Sequence, residues 1–190
     1  MKKFLFVLSA TLLSFTASFA QKWAVDKAHS RLGFAVSHLS ISEIDGSFKD
    51  FDATITSSKE DFSDATFEIS ATIASINTEI AQRDQHLQSP DFFDAAKYPT
   101  LTFKSTSFKK TGDKTYKLTG DFTLHGVTKS ITLDVVFNGT AQHPQSKKTV
   151  AGFKFTSVIK RSDFGVATKF PAAMLGDDVQ LIGKGEFVKD

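Results

Sequence analysis

The chain has 190 residues, a formal net charge of +2, no cysteine, and 20 Phe beside 2 Tyr and 1 Trp. That length holds one domain or a small pair, and the missing cysteine excludes disulfides, thiolate metal sites, a Cys nucleophile and an acylated N-terminal cysteine. A charge this near zero argues against a nucleic-acid binder, which draws on a clustered excess of Lys and Arg. The Phe excess supplies ring area without the polar handle of Tyr or Trp and suits an apolar interior.

Residues 1–20 read as a secretory signal peptide: Lys2 and Lys3 form the positive start, Phe4 to Leu13 the apolar run, and Ser18 and Ala20 the small residues that direct cleavage. Cleavage is predicted before Gln21. Ser9, Thr11, Ser14 and Thr16 interrupt the apolar stretch, which falls short of the roughly 20 residues a spanning helix needs. Losing Lys2 and Lys3 lowers the basic count from 23 to 21, equal to the 21 acidic residues, so the mature chain is formally neutral. The expected product is one domain over residues 21–190, exported to the periplasm, with no stable membrane insertion.

From Trp23 onward apolar residues alternate with a period of two, the mark of strands with one buried face. Leu32, Phe34, Val36 and His38 form the first clear case, and Ala65, Phe67, Ile69, Ala71 and Ile73 the cleanest. Between Phe48 and Phe51 the parity slips by one residue, which predicts a bulge or bend. One stretch breaks the pattern: residues 78–89 read as a helix capped by Thr78, with Glu79 at its positive end, and Ser89-Pro90 opens a short turn that Pro99 ends.

The alternation resumes at Leu101 and Phe103, at Tyr116, Leu118, Phe122 and Leu124, and at Ile131, Leu133, Val135 and Phe137. It recurs at Phe153, Phe155 and Ile159 and at Val179, Leu181 and Phe187. Residues 138–149 are polar and read as an exposed hairpin loop, with Asn138-Gly139 as a turn. About eight strands with one short helical insertion favour an all-β fold, an eight-stranded antiparallel up-and-down barrel of lipocalin type, over a two-sheet sandwich.

Catalytic signatures are missing: no G-x-S-x-G elbow, phosphate loop, dinucleotide fingerprint or H-E-x-x-H occurs. His29, His38, His86 and His125 lie in four segments without ligand spacing, so neither a metal nor a cofactor is expected. Arg83, Asp84 and His86 make the densest polar cluster. An enzyme reading would use His86 as a base oriented by Asp84, against the plainer reading of a helix pinned across a barrel mouth. His125, before a Gly-Val turn, is expected to bond backbone and fix its hairpin. Arg161 and Asp163 are expected to form an ion pair that holds a loop.

Taken together these residues resemble the YceI-like family of exported polyisoprenoid-binding proteins. The resemblance runs through Trp23, Asp26, His29-Ser30, Phe34, His38, Gly46, Phe48 and Phe51, then Ser75-Ile76-Asn77-Thr78 and Arg83-Asp84-Gln85-His86-Leu87. It continues in Asp91-Phe92-Phe93-Asp94, Tyr98-Pro99, the block from Gly120 to Lys129, Arg161-Ser162-Asp163-Phe164-Gly165 and Leu175-Gly176-Asp177. It implies a periplasmic barrel enclosing a long apolar chain, a polyprenyl lipid or isoprenoid quinone, for transport, storage or protection, with no catalytic residues.

The wall residues expected to bind it are Phe34, Val36, Ile69, Ile73, Phe103, Phe122, Leu133, Val135, Phe153 and Phe155, with Phe92, Phe93, Phe170 and Met174 as lid or mouth. Two rivals remain: a hydrolase-like or metal-dependent enzyme using His86 and Asp84, and a filled barrel acting as a stress-related, partner-binding protein. A homodimer is left open.

Overall fold

The computed structural model describes residues 20–190; the predicted signal peptide lies outside the described residues apart from Ala20. The chain forms β1 (Gln21–His38), β2 (Ser42–Phe48), β3 (Phe51–Ser57), β4 (Thr66–Thr72) and the two-residue β5 (Ile76–Asn77). After α1 (Ala81–Leu87) come β6 (Thr100–Lys110), β7 (Thr115–Leu124), β8 (Val127–Gln142), β9 (Thr149–Lys160) and β10 (Leu175–Lys189).

Every strand pairing is antiparallel, and β1 closes the sheet by pairing with β10 from Trp23↔Lys189 to His38↔Leu175. The long β1 pairs with β2 through its second half and with β3 through its first. β2 and β3 therefore act as one barrel strand broken at Lys49-Asp50, where the parity slip falls, and the result is a closed eight-stranded antiparallel barrel with one short helix. The break is held from outside: Lys49 N donates to Ser75 O and Thr72 N donates to Asp50 O.

The period-two pattern points its apolar residues inward as expected. Phe51, Ala53 and Ile55 of β3, Phe67 and Ala71 of β4, Leu101 and Phe103 of β6, and Leu118, Phe122 and Leu124 of β7 are all buried. Three local expectations change. The 138–149 stretch is mostly strand, since Asn138-Gly139 is a bulge within β8 (Gly139 φ 116°) and only the tip at 143–148 turns. The helix is shorter than 78–89. It begins at Ala81 without a side-chain cap, because Thr78 is bonded to Asp84 and Arg83 and Glu79 takes a left-handed backbone, φ 65°.

The third change concerns Arg161. It forms no ion pair with Asp163, which instead receives Lys129 Nζ at 2.8 Å. Arg161 is 6% exposed and spends its five N–H groups on five backbone carbonyls. Nε donates to Gly176 O (3.0 Å), Nη1 to Val166 O (3.2 Å) and Ala167 O (2.6 Å), and Nη2 to Phe170 O (2.7 Å) and Leu175 O (2.9 Å). One planar cation thus gathers the whole β9–β10 connection.

The two barrel ends differ. At the end holding the β3–β4, β6–β7 and β8–β9 connections, Phe62 turns into the barrel from a left-handed backbone (φ 58°) and is 1% exposed. Its ring meets Trp23 at 5.1 Å, Phe137 at 5.1 Å and Phe153 at 5.2 Å between centroids, and Phe67, Phe108 and Tyr116 extend the cluster. Asp64 fixes this loop by accepting from Ser57 Oγ (2.6 Å) and Ser58 N (3.0 Å). These hydrogen bonds, the Ser57 hydroxyl first, hold its carboxyl well below the usual range. This end is sealed by aromatic packing.

Candidate functional site

At the other end, α1 with the turns after it and the β9–β10 connection flank an opening. Behind it further apolar spaces follow down the barrel. A mouth cavity of about 420 Å³ is bordered by Phe34, Val36, His38, Ile44, Thr78, Arg83, His86, Leu87, Phe92, Phe170, Met174 and Leu175. A middle cavity of about 100 Å³ shares Phe34, Val36, Leu87, Phe92 and Leu175 with it and adds Phe93, Leu124, Ile159, Val166, Ala167 and Val179. A deeper one of about 80 Å³ shares Phe34, Phe48, Leu101, Phe122 and Leu181 with the middle one and reaches Ile69, Phe103, Leu133 and Phe155.

Phe34 borders all three spaces. Its ring lies over Gly46, its register partner on β2, in the volume that a side chain at 46 would take. A second ring is seated the same way, that of Phe103 over Gly120. Glycine here serves close approach, leaving the ring tips the volume that a Cβ would take.

Two contacts join the flanks of the mouth. The ring of Phe170 stacks on Phe92 with centroids 4.9 Å apart, and Lys169 Nζ donates to Asp91 Oδ1 at 2.8 Å. The lysine bond lowers the Asp91 carboxyl and raises the Lys169 ammonium. Below them Arg161 borders the middle cavity with its charge satisfied by carbonyls.

Of the expected wall residues, Phe34, Val36, Ile69, Phe103, Phe122, Leu133 and Phe155 border these three spaces, as do Phe92, Phe93, Phe170 and Met174. Ile73, Val135 and Phe153, each 1% exposed, border none of these three and belong to the packed interior; Phe153 lies in the aromatic seal. Sequence reasoning passed over Phe48, Leu87, Leu175 and Arg161 as lining. Phe48 carried a usable signal in the parity slip beside it and Leu87 in its place on the predicted helix; the carbonyl cage of Arg161 carried none.

The polar cluster is organised as a support. Asp84 accepts from Thr78 N (2.7 Å) and Thr78 Oγ1 (2.6 Å), while Arg83 donates to Thr78 Oγ1 (2.7 Å) and Thr78 O (2.6 Å). The carboxylate beside His86 is Asp91, 3.8 Å away, so Asp84 does not orient that imidazole. His125 Nδ1 donates to Phe164 O (3.2 Å) and its ring meets Tyr98, so it ties its hairpin to the segment after β9. The four histidines are not gathered into one centre. His29 sits on the outer face with Asp26 and Glu186, where three ligand atoms lie within 4.8 Å of one another; Nδ1 is already bonded to Asp26 at 2.9 Å.

A closed antiparallel barrel with one sealed end and an apolar interior open at the other defines a lipocalin-like barrel. Residues 23–187 match the YceI-like domain, and the chain belongs to the YceI-like family. It is 40% identical over 181 residues to a protein named UPF0312 protein from Pseudomonas savastanoi pv. phaseolicola, covering 93% of each chain. The crystal structure of Campylobacter jejuni YCEI protein superposes with a TM-score of 0.74 at 33% identity, over 100% of this chain and 99% of that one. A domain from Saccharophagus degradans described as polyisoprenoid binding shares the fold, with a TM-score of 0.66 at 15% identity over 89% and 98% of the two chains.

Proposed function

We propose that this protein is a non-enzymatic carrier that encloses the chain of a long isoprenoid, a polyprenyl lipid or isoprenoid quinone, in the barrel, tail towards the aromatic seal. The observation that carries this reading is the succession of apolar spaces sharing Phe34, from the mouth to Phe103 and Phe155, whose middle and deep members are bordered by a single charged residue, Arg161. Burying hydrocarbon there contributes about 25 cal/mol per Å² removed from water, less the cost of ordering the chain. The description of the Saccharophagus degradans domain as polyisoprenoid binding supports the same ligand class.

The signal-peptide pattern of residues 1–20 supports a periplasmic carrier that transports, stores or protects such a lipid. Native mass spectrometry of the exported protein, released gently from cells, is expected to find a lipid of isoprenoid mass bound and an N-terminus at Gln21. A protein that emerges empty and fails to take up added prenol would overturn the carrier reading in favour of a filled, partner-binding barrel.

A further inference from the structure

The turn joining β1 to β2 leaves two apolar side chains in water, Leu39 at 49% and Ile41 at 84% exposure. Leu39 and Ser40 both adopt left-handed backbone, φ 52° and 58°, where Gly or Asn is favoured. Neither local conformation nor core packing selects Leu39 or Ile41, so their presence points to a partner. Leu39 N donates to Met174 O at 2.9 Å, which sets Met174, 46% exposed, beside the same turn. Ile80, 52% exposed, lies between the mouth residues Thr78 and Arg83. Among the described residues the other large exposed apolar side chains are Val136 and Val158, which stand singly on the barrel wall.

The ionisable residues bordering the mouth cavity are His38, Arg83 and His86, and no carboxylate borders it. Asp84 and Asp91 of the same insertion are engaged by Thr78 and Lys169, and the exposed Glu43 and Glu79 accept from Gln180 and Asn77. We propose that this rim docks the barrel, mouth first, onto a lipid bilayer carrying phosphate head groups. Leu39, Ile41 and Met174 enter the boundary of the acyl region while Arg83, braced by Thr78 through Nε and Nη2, supplies positive charge to phosphate. The inference rests on the carrier reading: a chain leaving the bilayer would enter the cavity without crossing water. A second copy seated on the same rim would cover the opening through which a chain enters.

The test uses the exported chain and vesicles of phosphatidylethanolamine and phosphatidylglycerol. Leu39→Asn with Ile41→Ser keeps the turn, since Asn tolerates left-handed backbone. This variant is expected to lower the vesicle-bound fraction at least about tenfold. Val136→Asp is expected to leave docking unchanged, and all three proteins to bind soluble farnesol equally. Equal sedimentation of the rim variant and the parent, or no sedimentation of the parent, overturns the proposal. So does a rim variant that only splits a dimer, which assigns the rim to a contact between copies. Docking lost in the rim variant while no protein binds farnesol overturns the carrier reading and leaves docking standing.

Discussion

Phe170 stacks on Phe92 across 78 residues of sequence, rings 4.9 Å apart and inclined by 29°. The first residue belongs to the connection held by Arg161 and the second to the turn after α1, so the stack is a clasp between two otherwise separate flanks of the mouth. A stacked pair contributes about 0.5–1.5 kcal/mol beyond its buried area. Phe170→Ala is therefore expected to raise both the association and release rates of a prenol roughly three- to tenfold, with little change in affinity. Asp91→Asn, which removes only a half-exposed ion pair, should change them less. Stopped-flow uptake measures this, and unchanged rates in Phe170→Ala would show that the lipid enters elsewhere.

Arg161 makes a different prediction, about stability. Replacing it with Met leaves five carbonyls without their donor, several of them away from water, and should lower unfolding free energy by about 3 kcal/mol or more. Lys keeps the charge but cannot present five donors in one plane, so Arg161→Lys should rescue little. Urea titration decides it. A Lys variant as stable as the parent would show that the charge alone matters.

The contrast between these residues explains what could be read in advance. Strand parity placed Phe34, Phe103, Phe122 and Phe155 inside because alternation alone decides which face is buried, and the slip at Phe48–Phe51 marked the break between β2 and β3. Parity is silent about depth. Phe153 and Phe155 share a strand face, yet one packs in the seal and the other borders open space, and that division follows from Phe62 entering from a loop. Arg161 and Thr78 differ from expectation for a related reason: their partners are backbone atoms or residues of a neighbouring turn, which composition does not show.

Acid should loosen the sealed end first. The Asp64 carboxyl is held well below the ordinary carboxylate range by the Ser57 and Ser58 hydroxyls and Ser58 N. Between the folded and unfolded values the unfolded chain binds the extra proton, so this contribution is present above about pH 4 and is lost as pH falls through the folded value. Asp64 is exposed, and solvent screening keeps the contribution modest. Asp64→Asn should lower the melting temperature by a few degrees at pH 7 and flatten its decline below pH 4. Trp23, the only Trp and 5.1 Å from Phe62, reports the seal by fluorescence. An identical acid profile in parent and variant would remove Asp64 from the seal.

The lining itself is tested by enlarging it at chosen depths. Phe122 borders both the middle and deep spaces and Phe155 the deep one, so Phe122→Trp and Phe155→Trp put extra ring volume where the chain would lie. Each should weaken binding of a long prenol by about tenfold or more while costing little stability, because the added atoms have space to enter. Phe153 has none: it is 1% exposed and ringed by Phe62, Phe67, Phe137 and Phe187. Phe153→Trp should instead cost about 1–3 kcal/mol by overpacking and leave binding of a short prenol unchanged. Melting temperature and prenol titration on the three variants separate the two effects. Full long-chain uptake by both Phe122→Trp and Phe155→Trp would exclude the barrel axis as the binding path.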